Sequence, residues 1–117
     1  MLTSFFTSAS ASAVMLGPAF RCAFSITDTV LTQMEAWEPE VLESFQALAR
    51  TGCVEFLCET SHHSLASLVD RPEFVRQVRR HADRIERLFG RRPTTFRNTE
   101  LVCSNDIAAA AEGLGFH

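Results

Sequence analysis

The chain alternates short apolar runs of strand period with longer stripes of helical period, and this alternation limits the folds open to it. Cys22, Phe24 and Ile26 alternate with small or polar residues from Arg21 to Thr27, which predicts a first strand. A helical stretch follows from Asp28, a suitable N-cap. Pro39 interrupts that stretch. Proline is tolerated in a first helical turn, so the stretch divides at Trp37-Glu38 and a second helix begins there. Val41, Leu42, Phe45 and Leu48 form its apolar face, and Gly52 ends it. The second strand is Cys53 to Cys58, and the loop Thr60-Ser61-His62-His63-Ser64 leads on to a short helical piece. Phe74, Val78, His81, Ile85 and Leu88 fall at spacings of three and four, predicting a helix from about Arg71 to Phe89, with Pro72 near its start and Gly90 as its cap. The third strand is Thr94 to Thr99, and an Ala-rich helix covers Asn105 to about Gly113.

Strands alternating with helices imply parallel pairing and right-handed crossovers. Three parallel strands make an incomplete sheet, because parallel sheets bury both faces and usually have more strands. Leu114-Gly115-Phe116-His117 reads as the start of a fourth strand. The expected class is therefore α/β: a partial (β/α) barrel of three consecutive βα units over residues 20–117, cut from a larger barrel or sheet. Residues 1–19, rich in Ser, Thr and Ala, are expected to be an irregular N-terminal segment.

A chain of 117 residues, 46% hydrophobic and 21% charged with net charge −3, is one domain at most, and nothing in that balance calls for a nucleic-acid partner. No apolar run approaches the roughly 20 residues of a membrane helix. No basic n-region precedes Arg21, so a secretory signal is not expected. Cys22, Cys53, Cys58 and Cys103 match no zinc spacing and no CxxC redox pair; they are read as reduced core or near-core thiols of a cytoplasmic protein. Arg76, Arg79, Arg80, Arg84 and Arg87 are interleaved with Glu73, Asp83 and Glu86, the pattern of a salt-bridged helix surface. No Gly-rich phosphate loop follows a strand, and no cofactor is expected. Adjacent histidines such as His62-His63 rarely point into one site, and no H-x-x-x-H or H-x-x-E spacing occurs, so no metal is expected.

β/α proteins place their chemistry at the C-terminal ends of the strands. Here those ends carry Thr27, then Glu59, His62 and His63, then Asn98 and Glu100. The run Thr94-Thr95-Phe96-Arg97-Asn98-Thr99-Glu100-Leu101 begins as a buried strand and ends in polar groups and a carboxylate, a choice that strand propensity opposes. Asn98 and Glu100 share one side of their strand, as Glu55, Leu57 and Glu59 share one side of theirs. A glutamate in mid-strand is costly unless paired, so an ion pair of Glu55 with Arg97 is the alternative to a role for them in a site.

Four runs occur in one order: Phe24-Ser25-Ile26-Thr27, Gly52-Cys53-Val54-Glu55-Phe56-Leu57, Glu59-Thr60-Ser61-His62-His63-Ser64-Leu65-Ala66 and Phe96-Arg97-Asn98-Thr99-Glu100-Leu101. Together they resemble the catalytic domain of glycoside hydrolase family 57, in its α-amylase-like branch, over about residues 20 to 117. The resemblance implies a distorted seven-stranded β/α barrel acting on α-glucans or oligosaccharides with retention, as a hydrolase or a 4-α-glucanotransferase. Retention requires two carboxyl groups roughly 5–5.5 Å apart, one a nucleophile and one an acid/base. The resemblance puts the nucleophile at Glu100 and a sugar-binding role at His63. Glu55, in the same region as His63, is expected to join the substrate-binding set with Glu59, Asn98 and Arg97. Arg97 and Asn98 flank the nucleophile.

The departures from that pattern carry their own expectations. The family's early His-Gln-Pro motif is absent, and its acid/base aspartate is expected beyond His117. Asp106 starts a helix and cannot replace it. Ser61-His62 stands where aromatic residues are common, and Asp28 where glycine is usual. The chain alone is therefore expected to lack glycosidase activity. The alternatives are a non-catalytic carbohydrate-binding piece, or a piece of a split barrel whose remainder lies on another chain. A polysaccharide deacetylase-like protein ranks last, because Ser67 stands where a second histidine is needed.

Overall fold

The computed structural model describes residues 21–117, and the expectation for residues 1–19 lies outside them. The elements are β1 (Cys22–Phe24), α1 (Asp28–Trp37), α2 (Pro39–Arg50), β2 (Val54–Phe56), α3 (Ala66–Val69), α4 (Arg71–Phe89), a 3-10 turn (Thr99–Leu101) and α5 (Asn105–Gly113). β1 and β2 pair in parallel, with Cys22 opposite Val54, Ala23 opposite Glu55 and Phe24 opposite Phe56.

The third expected strand is reduced to a parallel bridge between Cys58 and Phe96. Cys58 N–H donates to the Thr95 carbonyl and Arg97 N–H to the Cys58 carbonyl, so Thr95–Arg97 runs where a third strand would. Beyond Arg97 the backbone leaves the ladder for the 3-10 turn, because Glu100 and Leu101 take positive φ. All strands are shorter than the apolar alternation suggested. The expected fourth strand is a turn instead, although His117 N–H reaches the Thr94 carbonyl at 3.0 Å.

The helices follow local chemistry closely. Thr27, not Asp28, caps α1: its hydroxyl accepts from Val30 N–H, leaving Asp28 in the first turn. Pro39 opens α2 at its first position, where the missing N–H costs nothing. Asp70 caps α4 through Glu73 N–H, and Gly90 closes it at φ 77°, the left-handed geometry that glycine adopts without a Cβ clash.

The core has two parts bridged by α4. One packs β1, β2, α1 and α2 through Ile26, Leu31, Val41, Phe45, Leu48 and Phe56, with Ile85 from α4. Phe56 stacks on Phe89 at 3.8 Å between centroids, and Phe24 meets Phe45 edge-on. The other gathers Cys58, Phe74, Val78, Ala82, Ile107, Ala110 and Phe116. It thus holds the Phe96 segment and α5 against the same helix. Three arginines of α4 form ion pairs: Arg76 with Glu73, Arg80 and Arg84 with Asp28, and Arg84 also with Glu35.

Phe74 is buried and meets Phe96 at 5.7 Å. Phe74→Ala is expected to destabilise the fold by about 3–5 kcal/mol, read as a lower urea midpoint at unchanged slope. A loss under about 1 kcal/mol would mean that α5 and the Phe96 segment do not pack as described.

Candidate active site

The buried His81 of α4 ties the ends of β1 and β2 together. Its Nε2 lies 2.8 Å from the Ile26 carbonyl, which can only accept, so Nε2 carries the hydrogen. Nδ1 then accepts from Glu59 N–H at 3.2 Å. This fixes a neutral ring in one tautomer, and burial pushes its pKa below the ordinary histidine value.

Glu59, 2% exposed, follows directly from that anchor. Its Oε1 accepts from Ser25 Oγ at 2.9 Å, and its Oε2 lies 3.1 Å from His63 Nδ1. His63 Nε2 in turn lies 3.1 Å from Glu100 Oε1. The four residues form one hydrogen-bonded chain from the end of β1 to the 3-10 turn. His63 is held above its ordinary pKa, first by its hydrogen bond to Glu59 and then by that to Glu100. The two carboxylates approach opposite ends of the ring. Among the described residues, no three His, Cys, Asp or Glu side chains converge to hold a metal.

The surrounding loops are set by small polar groups. The hydroxyls of Thr60 and Thr99 are 2.8 Å apart, joining the His63 loop to the Glu100 turn. Ser64 N–H donates to Thr60 Oγ1, and Asp28 N–H donates to the Ser61 carbonyl. Asn98 Nδ2 donates to the Val102 carbonyl at 2.9 Å and to Ser67 Oγ at 3.1 Å. Its Oδ1 is buried without a partner.

Three non-glycine residues here have positive φ: His63 at 51°, Glu100 at 52° and Leu101 at 57°. Such geometry costs on the order of 1–2 kcal/mol per residue, and it turns the Glu100 side chain outward at 71% exposure. The Glu100 carboxylate is thus presented to solvent at a strand end with an imidazole nitrogen 3.1 Å away.

Of the residues singled out in the sequence, His63, Glu59 and Glu100 are brought together. Asn98, two residues before Glu100, bonds instead to Ser67 and Val102. Arg97 lines an open groove of about 600 Å³ with Asn98, Phe96, Ile107 and Phe116. Glu55 lies elsewhere. It accepts from Thr94 Oγ1 and sits with Arg21, Gly52 and Arg91 at the N-terminal end of the strands. It is paired with neither Arg97 nor the His63 cluster, because Glu55 and Glu59 occupy opposite ends of a short strand region. Ser25, Thr60 and Thr99 were not singled out as site residues. His81 was read only as part of a buried stripe. A titratable residue at a core position of that stripe was the available signal.

This geometry defines a polar strand-end cluster, and comparison with known proteins identifies the family. The sequence profile described as glycosyl hydrolase family 57 matches residues 3–117. The chain belongs to glycosyl hydrolase family 57. It is 40% identical over 98 residues to a protein of Methanocaldococcus jannaschii named "Putative alpha-amylase", covering 83% of this chain and 21% of that protein. The chain thus spans about a fifth of the length of that curated relative. The crystal structure of a 4-alpha-glucanotransferase from Thermococcus litoralis shares the fold, with a TM-score of 0.80 and 15% identity over 93% of this chain and 17% of that one.

Two predictions follow from this geometry. Leu101 is 71% exposed at φ 57°, so Leu101→Gly relieves strain while removing little packing. It is expected to stabilise the chain by up to about 1 kcal/mol in urea unfolding; a clear loss of stability would show that the turn is not strained. The two histidines act in opposite senses. His63 has its pKa raised in the fold, so its contribution is complete below the unfolded value of 6.5 and is lost as pH rises through the folded value. His81 has its pKa lowered, so its contribution is complete above 6.5 and is lost as pH falls. The two histidine contributions therefore overlap near pH 6.5, and the decline between there and the thiol range should disappear in His63→Gln; above pH 9.0 the buried Cys58 thiol, pushed up to about 12, gives a separate decline. An unchanged decline in that variant would remove His63 as its source.

Proposed function

We propose that this chain carries the nucleophile-bearing part of a retaining, α-glucan-active enzyme, of α-amylase or 4-α-glucanotransferase type, with Glu100 as the nucleophile. It supplies three consecutive βα units of a distorted (β/α) barrel. The observation that carries the reading is the Glu100 carboxylate, exposed at a strand end in left-handed backbone geometry and held by His63. Family membership and the α-glucan enzymes among the relatives support the substrate class.

The Glu100 Oε attacks the anomeric carbon, the C1–leaving-group bond breaks, and a glycosyl ester forms on Glu100. His63 orients the carboxylate, and Asn98 and Arg97 line the groove next to the Glu100 turn. The acid/base role is assigned to no residue described here. Glu59 is buried and faces His63, and Asp106 lies in the first turn of α5. The isolated chain is therefore proposed to be inactive on natural α-glucans. A second reading, a barrel completed by polypeptide from another chain, draws on the groove beside Phe96, whose walls are mostly apolar and whose Asn98 Oδ1 has no partner.

An activated substrate separates nucleophile from acid, because fluoride departs without protonation. The purified chain is expected to show no hydrolysis of maltooligosaccharides. With a 5-fluoro-α-glucosyl fluoride it should gain one glycosyl group on the peptide containing Glu100, and Glu100→Gln should take up none. Label on another carboxylate, no label at all, or glucan hydrolysis that survives Glu100→Gln would each remove the assignment.

A further inference from the structure

The ring of His63 meets a carboxylate oxygen at 3.1 Å from each of its two nitrogens. A neutral imidazole has one N–H and can donate to one of them only; the other nitrogen would then oppose a carboxylate lone pair. With both glutamates ionised, the pair of short contacts requires the cation, with Nδ1–H donating to Glu59 and Nε2–H to Glu100.

The two carboxylates are not equivalent. Glu100 is exposed and sits on a strained turn. Glu59 is buried, with Oε1 held by Ser25 Oγ and its backbone N–H held by His81. Among the described residues, no arginine forms an ion pair with Glu59. Its counter-charge is His63, and a buried carboxylate is costly without one. His63 is itself 39% exposed, at the end of a two-residue turn, and without Glu59 it would have solvent and Glu100 alone to order it.

We propose that Glu59 is a positioning residue: it holds His63 as the cationic partner that orients the Glu100 carboxylate. This rests on Glu100 being the nucleophile. Because Glu59 grips one end of the ring, His63 stays in place whether or not Glu100 carries its charge. Ser25 and His81 fix Glu59, so the chain of contact runs from the ends of β1 and β2 to the reacting carboxylate. The other groups facing it are neutral or further off. The Thr60–Thr99 hydroxyl pair flanks the ring's loop, and Asp28 and Arg84 act on His81 from beyond.

The test is a histidine-selective ¹⁵N and ¹H NMR titration of the full 117-residue chain. In the unaltered chain both nitrogens of His63 should carry hydrogen at neutral pH, and its ring protons should show contacts to the Glu100 methylenes. Glu59→Gln should move the His63 midpoint down and erase those contacts while the amide spectrum stays native. Glu59→Asp keeps the buried charge but withdraws it by one methylene, and should restore part of both signals. If Glu59→Gln does not fold, Glu59→Asp is read alone, and a downward shift smaller than that of Glu100→Gln supports the proposal. An unchanged midpoint and unchanged contacts in a folded Glu59 variant overturn it. The glycosyl fluoride experiment stands apart: label on Glu100 without these shifts refutes the role of Glu59 but not the nucleophile. The shifts without label refute the nucleophile, and with it a catalytic purpose for this positioning.

Discussion

The site hangs on His81. A neutral imidazole, 0% exposed, donates to the carbonyl of Ile26 and accepts from the N–H of Glu59. These are backbone groups at the ends of β1 and β2, just where a short parallel ladder stops and its peptide groups need partners. One side chain from α4 supplies both. The same contact fixes the position of Glu59, and Glu59 fixes His63.

From that anchor outward, polarity rises as burial falls. Glu59 is buried, His63 half-exposed and Glu100 open to solvent. Stored backbone strain follows the same course, absent at Glu59 and present at His63, Glu100 and Leu101. The packed interior thus supplies rigidity, and the turn supplies the exposed carboxylate. The two core clusters on either side of α4 explain why the turn tolerates that strain: Phe74, Phe96 and Phe116 hold the segment leading into it.

Much of the fold was legible in the chain. The division of the first helical stretch at Glu38, the start of α4 beside Pro72, and the cap at Gly90 all follow from local chemistry that acts within a few residues. The strands were read too long. Alternation of apolar residues reports which side chains turn inward, and Ile26 and Phe96 do turn inward. Alternation does not report whether a neighbouring backbone is present to form a ladder. The site was legible in part. His63, Glu59 and Glu100 stood out as polar groups at strand ends, where burial is given up. Glu55 shares a strand side with Glu59, yet it belongs to the opposite end of the sheet and accepts from Thr94. Parity specifies a face and not a position along it.

By itself the sequence determined the order of strands and helices, the helix boundaries at proline and glycine, and the run of polar groups that ends in Glu100. These depend on interactions between near neighbours. The tertiary structure decided that Ser25, Glu59, His63 and Glu100 form one chain of hydrogen bonds. It also decided that a core histidine, 22 residues beyond Glu59, holds that chain in place. The contacts of Glu59 with Ser25, of His81 with Ile26 and of His63 with Glu100 join residues from separate βα units, and the packing of α4 across both strand ends holds the first two within hydrogen-bonding distance.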